Sequence, residues 1–174
     1  LIDCGMFQGS AELSQLNYEE FDFDVKSLKY MILTHAHMDH SGRIPKLVKD
    51  GFEGKIYSTQ ATRDLCEIML QDSAHIQEME AEYDNRKNRR KGMRDIEPLY
   101  DMKNATDSMK YFFPIKYDNK IKLNENVSFC IRDAGHMLGS GILEIWINEN
   151  GKEEKIVFSG DLGNLQQPLL QDPT

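Results

Sequence analysis

Cysteine is scarce and odd in number: Cys4, Cys66 and Cys130 are the three in 174 residues. Three widely spaced thiols do not make a disulfide framework, and none has zinc-finger spacing. Buried free thiols in a reducing, cytoplasmic setting are expected. Long apolar runs are missing, so no membrane-spanning helix is expected. No signal peptide is visible, but the chain opens at Leu1-Ile2-Asp3 without a methionine. Its true N-terminus is therefore expected to lie upstream. Positive charge is in deficit, with 21 Lys plus Arg against 29 Asp plus Glu and a net charge of −8. Phosphate neutralisation dominates nucleic-acid affinity, so this segment is not expected to grip a nucleic acid by itself. Divalent cations and other surfaces would have to help. Internal repeats, biased linkers and the G-x-G-x-x-G fingerprint of a dinucleotide site are all absent. What remains is an ordinary globular balance, 40 % apolar and 29 % charged, long enough for one domain with its own core.

Within that ordinary background, Thr34-His35-Ala36-His37-Met38-Asp39-His40 holds three of the five histidines within six residues, plus a carboxylate. Imidazole and carboxylate are the ligands of zinc and its first-row neighbours. His35 and His37, two apart, project to the same side of an extended segment. Asp39 and His40 follow where the chain can curl and offer a second pair, a spacing that suits two ions side by side. Tyr30-Met31-Ile32-Leu33-Thr34 before them reads as a buried strand. Ile44, Leu47 and Val48 after them read as a helix, with Pro45 in its first turn and Gly51 past its end. The ligand types thus sit at a strand's carboxyl end leading into a helix, where α/β folds commonly build sites.

Two later strand ends carry the same kind of residue. Val127, Phe129 and Ile131 alternate with Ser128, Cys130 and Arg132, a half-buried strand. It delivers Asp133-Ala134-Gly135-His136-Met137-Leu138-Gly139-Ser140-Gly141, a lone histidine in a glycine-rich loop. Ile142 to Ile147 is the next strand, Asn150-Gly151 is a hairpin signal, and Lys155 to Phe158 returns. It ends in Ser159-Gly160-Asp161-Leu162-Gly163, an acid between glycines. Elsewhere, Leu13 and Leu16 suggest a short helical turn, followed by a surface loop from Tyr18 to Val25. Residues 55–59 read as a short strand. Thr62 to about Arg90 reads as a long helix ending in the basic run 86–91, a solvated helix end stopped at Gly92. His75 has no partner at ligand spacing and is assigned to the helix surface. A second helix is expected near 104–111, ending before Pro114, with an edge strand and turn over 115–123. Asp3 closes a short strand beside Gly5.

His-x-His-x-Asp-His after a buried strand, with His136 and Asp161 at later strand ends, resembles the metallo-β-lactamase superfamily. Residues 134–140 and 159–163, with Asp72-Ser73-Ala74 and Gln77-Glu78, resemble its RNA-processing members, the β-CASP nucleases. These include the eukaryotic pre-mRNA 3′-end endonuclease and its bacterial and archaeal relatives. The resemblance implies an α/β fold, the αββα sandwich, here partial and truncated at both ends. Residues 1–174 would be the N-terminal portion of that domain, with the inserted β-CASP domain and the C-terminal part absent. It implies two divalent metal ions, zinc in kind. His35, His37 and His136 would hold one, Asp39 and His40 the other; Asp161 would bridge them, and Asp3 would support the site from behind. The family completes its second metal site with a further histidine after the inserted domain, and no histidine follows His136 here.

The implied chemistry is in-line attack on phosphorus by a metal-activated hydroxide, with Asp39 as ligand and proton acceptor. Single-stranded RNA is the implied substrate of the full-length protein, and a homodimer is a candidate assembly. Residues 1–174 alone are expected to be inactive or nearly so. A thioester or lactam hydrolase on the same scaffold is the alternative enzyme. A non-catalytic RNA-processing scaffold subunit is the alternative outside enzymes, disfavoured because such members lose metal ligands. A flavo-diiron oxidoreductase is disfavoured because its motif carries Glu where this chain has His37.

Overall fold

Met31 and Leu33 are fully shielded on one side of their segment and Ile32 on the other, which is why the run is continuously apolar. In the computed structural model, which describes residues 1–174, this run forms strand β1 (Tyr30–Ile32). It pairs in parallel with β2 (Lys55–Thr59), and β2 pairs in parallel with β3 (Phe112–Ile115). Ile2 bridges Ile32 in parallel, so the segment ending at Asp3 lies along β1.

The helices are α1 (Ala11–Gln15), α2 (Met38–Ser41), α3 (Ile44–Lys49), α4 (Gln60–Arg90) and α5 (Met102–Ser108). Three of them cover one face of this sheet. Ile44 and Leu47 of α3, Cys66, Leu70 and Ala74 of α4, and Ala105 of α5 share one core cluster with Met31, Leu33, Ile56 and Phe112. The four-residue steps in α4 put its three on one stripe, which is the face it buries.

The second sheet is antiparallel, in the order β4 (Ile121–Lys122), β5 (Val127–Asp133), β6 (Gly141–Glu149), β7 (Lys152–Phe158). Phe129, Ile131 and Leu143 from it meet Ile32 and Tyr57 from the first sheet, forming the core between the sheets. The layers run helix, sheet, sheet, as expected of a partial αββα sandwich. Asn150 and Gly151 both have positive φ, 53° and 79°, the geometry of a type I′ hairpin turn. They close the Glu149–Lys152 pair, so β7 begins three residues before the expected Lys155.

One stretch departs from expectation. Helix α5 ends at Ser108, a 3-10 turn spans Met109–Tyr111, and the strand comes at Phe112–Ile115 rather than after Pro114. Asp101 starts the helix earlier than expected, through a capping box with Asn104. Pro114 is tolerated inside β3 because this is the edge strand of its sheet.

The basic end of α4 is largely paired on the surface, Arg86 with Glu82, Lys87 with Asp84 and Arg89 with Asp95. Such exposed, solvent-screened pairs add little to stability. His75 is exposed on the same helix. No helix is long and apolar enough to cross a membrane.

Candidate metal centre

Strand β1 ends at Ile32 and α2 starts at Met38, so His35 and His37 occupy the extended segment between them. His35 Nε2 lies 3.2 Å from His37 Nδ1, and His136 Nε2 lies 3.2 Å from the same His37 atom. Asp161 Oδ2 stands 3.7 Å from His35 Nε2 and 3.5 Å from His136 Nε2. One ligand atom from each of these four residues falls within 4.8 Å of all the others. A tetrahedral ion with bonds of about 2.0–2.1 Å sets its ligand atoms about 3.3–3.4 Å apart. The donor set and its spacing therefore fit a metal ion. His40 Nε2 lies on the other side of Asp161, 3.5 Å from Oδ1 and 3.8 Å from Asp39 Oδ2. The Asp161 carboxylate thus presents one oxygen to His35 and His136 and the other to His40, beside which Asp39 stands. Asp39 is at the rim, its side chain 54 % exposed.

Asp3 sets the protons behind this cluster. Its Oδ1 accepts the Thr34 amide at 2.8 Å, and its Oδ2 accepts the Thr34 hydroxyl at 2.8 Å. His40 Nδ1 lies 2.7 Å from the same Oδ2. An ionised carboxylate only accepts, so His40 carries its proton on Nδ1 and turns a bare Nε2 to the site. The Thr34 hydroxyl has spent its proton on Asp3, so at 3.1 Å it accepts from His35 Nδ1. His35 Nε2 is then also a lone pair facing the cluster. Asp3 holds this position at a φ of 50°, which Asp tolerates better than most residues. Asp3 thus contacts both Thr34 and His40, and the Thr34 hydroxyl that links it to His35 carried no signal in the sequence.

Burial above all, and then the neighbouring His40, push the His35 imidazole down to about 4, with Asp161 opposing. The unfolded chain restores an ordinary value of about 6.5. Below that pH the unfolded metal-free chain takes up a proton that the folded one refuses. Stability contributed by His35 is therefore present above about pH 6.5 and declines toward about pH 4, with a slope up to about 1.4 kcal/mol per pH unit. Urea unfolding of metal-free full-length protein across this window should show a steeper decline for wild type than for His35→Gln. Parallel curves would contradict it.

The two later loops are held by backbone. Ser140 Oγ, buried, accepts from the His136 and Met137 amides at 3.1 and 3.2 Å. Asp133 Oδ1 accepts from Gly135 N, and Gly163 N donates to Ala134 O, both at 2.8 Å. Gly141 N donates to Thr34 O at 2.8 Å, tying the His136 loop to the end of β1. Ser140 was part of a recognised glycine-rich word, but nothing in its residue type marked it as the anchor.

A family model, the metallo-β-lactamase superfamily domain, matches residues 1–172. A ribonuclease of Thermus thermophilus is 34 % identical over 174 residues, covering 100 % of this chain and 35 % of that protein. The transcription termination factor FttA of Methanocaldococcus jannaschii is 29 % identical over 171 residues, 98 % of this chain and 24 % of that protein. The chain thus spans about a quarter to a third of the length of these curated relatives. Among solved structures, a metallo-β-lactamase of Cronobacter sakazakii gives a TM-score of 0.56 at 16 % identity, over 97 % of this chain and 50 % of that one. MEM-A1, a subclass B3 metallo-β-lactamase from a soil metagenome library, gives 0.51 at 17 % identity, over 90 % and 50 %. At those identities the likeness speaks for the fold alone.

Proposed function

This chain belongs to the metallo-β-lactamase superfamily, and on that footing we propose that it is the metal-holding part of a ribonuclease that cleaves phosphodiester bonds. The observation that carries the reading is the convergence of His35, His37, His136 and Asp161 within 4.8 Å. Similarity along the whole of this segment to part of a ribonuclease and part of a transcription termination factor supports RNA as the substrate. The lactamase structures support no lactam substrate, because they are alike only in fold. A scaffold role is disfavoured by a donor set that is complete up to Asp161. In this proposal residues 1–174 are the N-terminal portion of the catalytic domain. The inserted β-CASP domain and the C-terminal part belong to the rest of the full-length protein.

His35 Nε2, His37 Nδ1 and His136 Nε2 are assigned to one ion, and His40 Nε2 and Asp39 to a second. Asp161 lies between the two sets of side chains and would be shared by them. Zinc suits such imidazole-rich sites with carboxylate. When bound, the ions supply Lewis acidity, making water acidic and screening charge on a phosphodiester. The chain's own residues then have separate tasks. Asp3, directly and through Thr34, keeps the His40 and His35 protons on Nδ1, so that both Nε2 lone pairs stay available. Asp39, at the open rim, takes the proton from the attacking water. The burial of His35 keeps water away from the back of the site. Three buried free cysteines fit a cytoplasmic location, which belongs to the proposal. So does a homodimer, decided by light scattering of the purified protein.

The test is metal content after dialysis, followed by incubation with labelled single-stranded RNA. The full-length protein should hold divalent metal, cleave the RNA, lose cleavage with chelator and regain it with zinc. Chelator-resistant cleavage, or no metal uptake, would sink the reading. Residues 1–174 alone should show little or no turnover.

A further inference from the structure

Gly139 lies three residues after His136, at a φ of 86°. Its carbonyl oxygen accepts two threonine hydroxyls, Thr59 Oγ1 at 2.7 Å and Thr62 Oγ1 at 2.8 Å. Both threonines are buried, 5 % and 0 % exposed. Thr59 is the last residue of β2 and the N-cap of α4, and Thr62 stands in the first turn of that helix. Each hydroxyl has one proton, and a carbonyl oxygen has two lone pairs. Thr59 Oγ1 also lies 3.0 Å from Thr62 Oγ1, so the two hydroxyls and the Gly139 carbonyl form one buried trio, and with both protons on Gly139 the carbonyl is fully satisfied. Thr59 Oγ1 still accepts from Thr62 N at 3.2 Å, so one atom caps the helix and grips the loop. A Cβ on Gly139 would meet Thr62 N at 2.5 Å and Thr59 Oγ1 at 2.6 Å. Only glycine permits this approach.

The gripped segment is the one that sets His136. Ser140, next to Gly139, takes the His136 and Met137 amides on its hydroxyl. The Ser140 carbonyl accepts the Tyr117 hydroxyl at 2.8 Å. The threonine pair and Tyr117 thus pin two successive carbonyls at the same end of the loop's short turn. His136 approaches the cluster from the second sheet, whereas His35 and His37 come from the first. Thr59 and Thr62 stand on the first sheet's side. Their two hydrogen bonds tie the loop bearing His136 to the layer that bears its companions.

We propose that Thr59 and Thr62 are positioning residues of the metal centre. Their hydroxyls fix the Gly139 carbonyl and thereby hold the His136 ring against His37 and Asp161. This inference rests on the metal reading of the cluster. Packing alone does not require hydroxyls here, since a valine fills the same volume as Thr62. The hydroxyls matter because a ligand held in place before the ion arrives binds it more tightly.

The experiment compares full-length wild type with Thr62→Val and Thr62→Ser. Zinc affinity is measured by competition with a chelator, and the cobalt(II) absorption spectrum and the melting of metal-free protein are recorded alongside. Thr62→Ala, which removes the same hydroxyl and favours a helix, guards against misfolding of the valine variant. Thr62→Val and Thr62→Ala should lose about tenfold in zinc affinity, and Thr62→Ser should stay within about twofold of wild type. The cobalt spectrum should change in the first two and be restored in the serine variant. Wild-type affinity in Thr62→Val and Thr62→Ala, or equal losses in the serine variant, would overturn the latch alone. Wild type that takes up no metal would instead overturn the reading of the site, and this role with it.

Discussion

Asp39→Ala in the full-length protein is expected to lower cleavage of single-stranded RNA by about 10²–10⁴-fold, the usual worth of a positioned acid–base group. The fold should persist. Asp39 stands in the first turn of α2 with a half-exposed side chain, and its nearest cationic partner is His40 at 3.8 Å. Removing it leaves no buried donor stranded, so the stability change should stay within about 0.5 kcal/mol. Asp39→Asn separates its two tasks. The amide retains an oxygen for a metal but cannot take a proton at neutral pH. It should therefore keep more metal than alanine does and yet cleave almost as poorly. RNA cleavage at near wild-type rate by Asp39→Ala, with unaltered metal content, would refute the role.

The first ligand group was legible because ligand spacing within His35–His40 is local. A strand end, a two-residue step and a turn suffice to aim those side chains. Bringing His136 to them spans 99 residues, and no periodicity carries that information. Glycine-rich strand ends marked His136 and Asp161 as ligand types, but their assignment to the same centre came from the resemblance. An edge strand was expected from residue 115 on, but Pro114 read as its boundary, whereas β3 runs through it from Phe112 to Ile115. The latch was illegible for a related reason. Thr59 and Thr62 look like an ordinary helix start, and their acceptor lies 80 and 77 residues further on. Asp3 was ambiguous by type, since a turn and a supporting role both suit an aspartate. Its hydrogen bonds run to Thr34 and His40, contacts that no local pattern in residues 1–5 announces.

Gly163→Ala is expected to damage both folding and cleavage, through one added methyl. A Cβ there would sit 1.7 Å from Gly135 O, 2.1 Å from Gly135 C and 2.6 Å from His136 N. These are backbone atoms, so no rotamer change gives way. To restore 3.0 Å, the chain just after Asp161 and the loop holding His136 must part by about 1.3 Å. Overpacking of this kind costs about 1–3 kcal/mol. A displacement of about 1 Å in a reacting geometry costs about 10²-fold in rate. Gly5 plays the matching part on the other side, where a Cβ would lie 1.6 Å from Asp39 O. The glycines thus let both ligand-bearing loops close on their neighbours. Gly92→Ala is the control, because φ there is 69° and nothing lies within 4 Å. Its cost should be backbone strain alone, about 1–2 kcal/mol, with cleavage unchanged. Urea midpoints, metal content and RNA cleavage of the two full-length variants beside wild type decide the question. If Gly163→Ala kept wild-type stability, metal and rate, the loops of Asp161 and His136 would not touch as described, and the assembled centre would have to be redrawn.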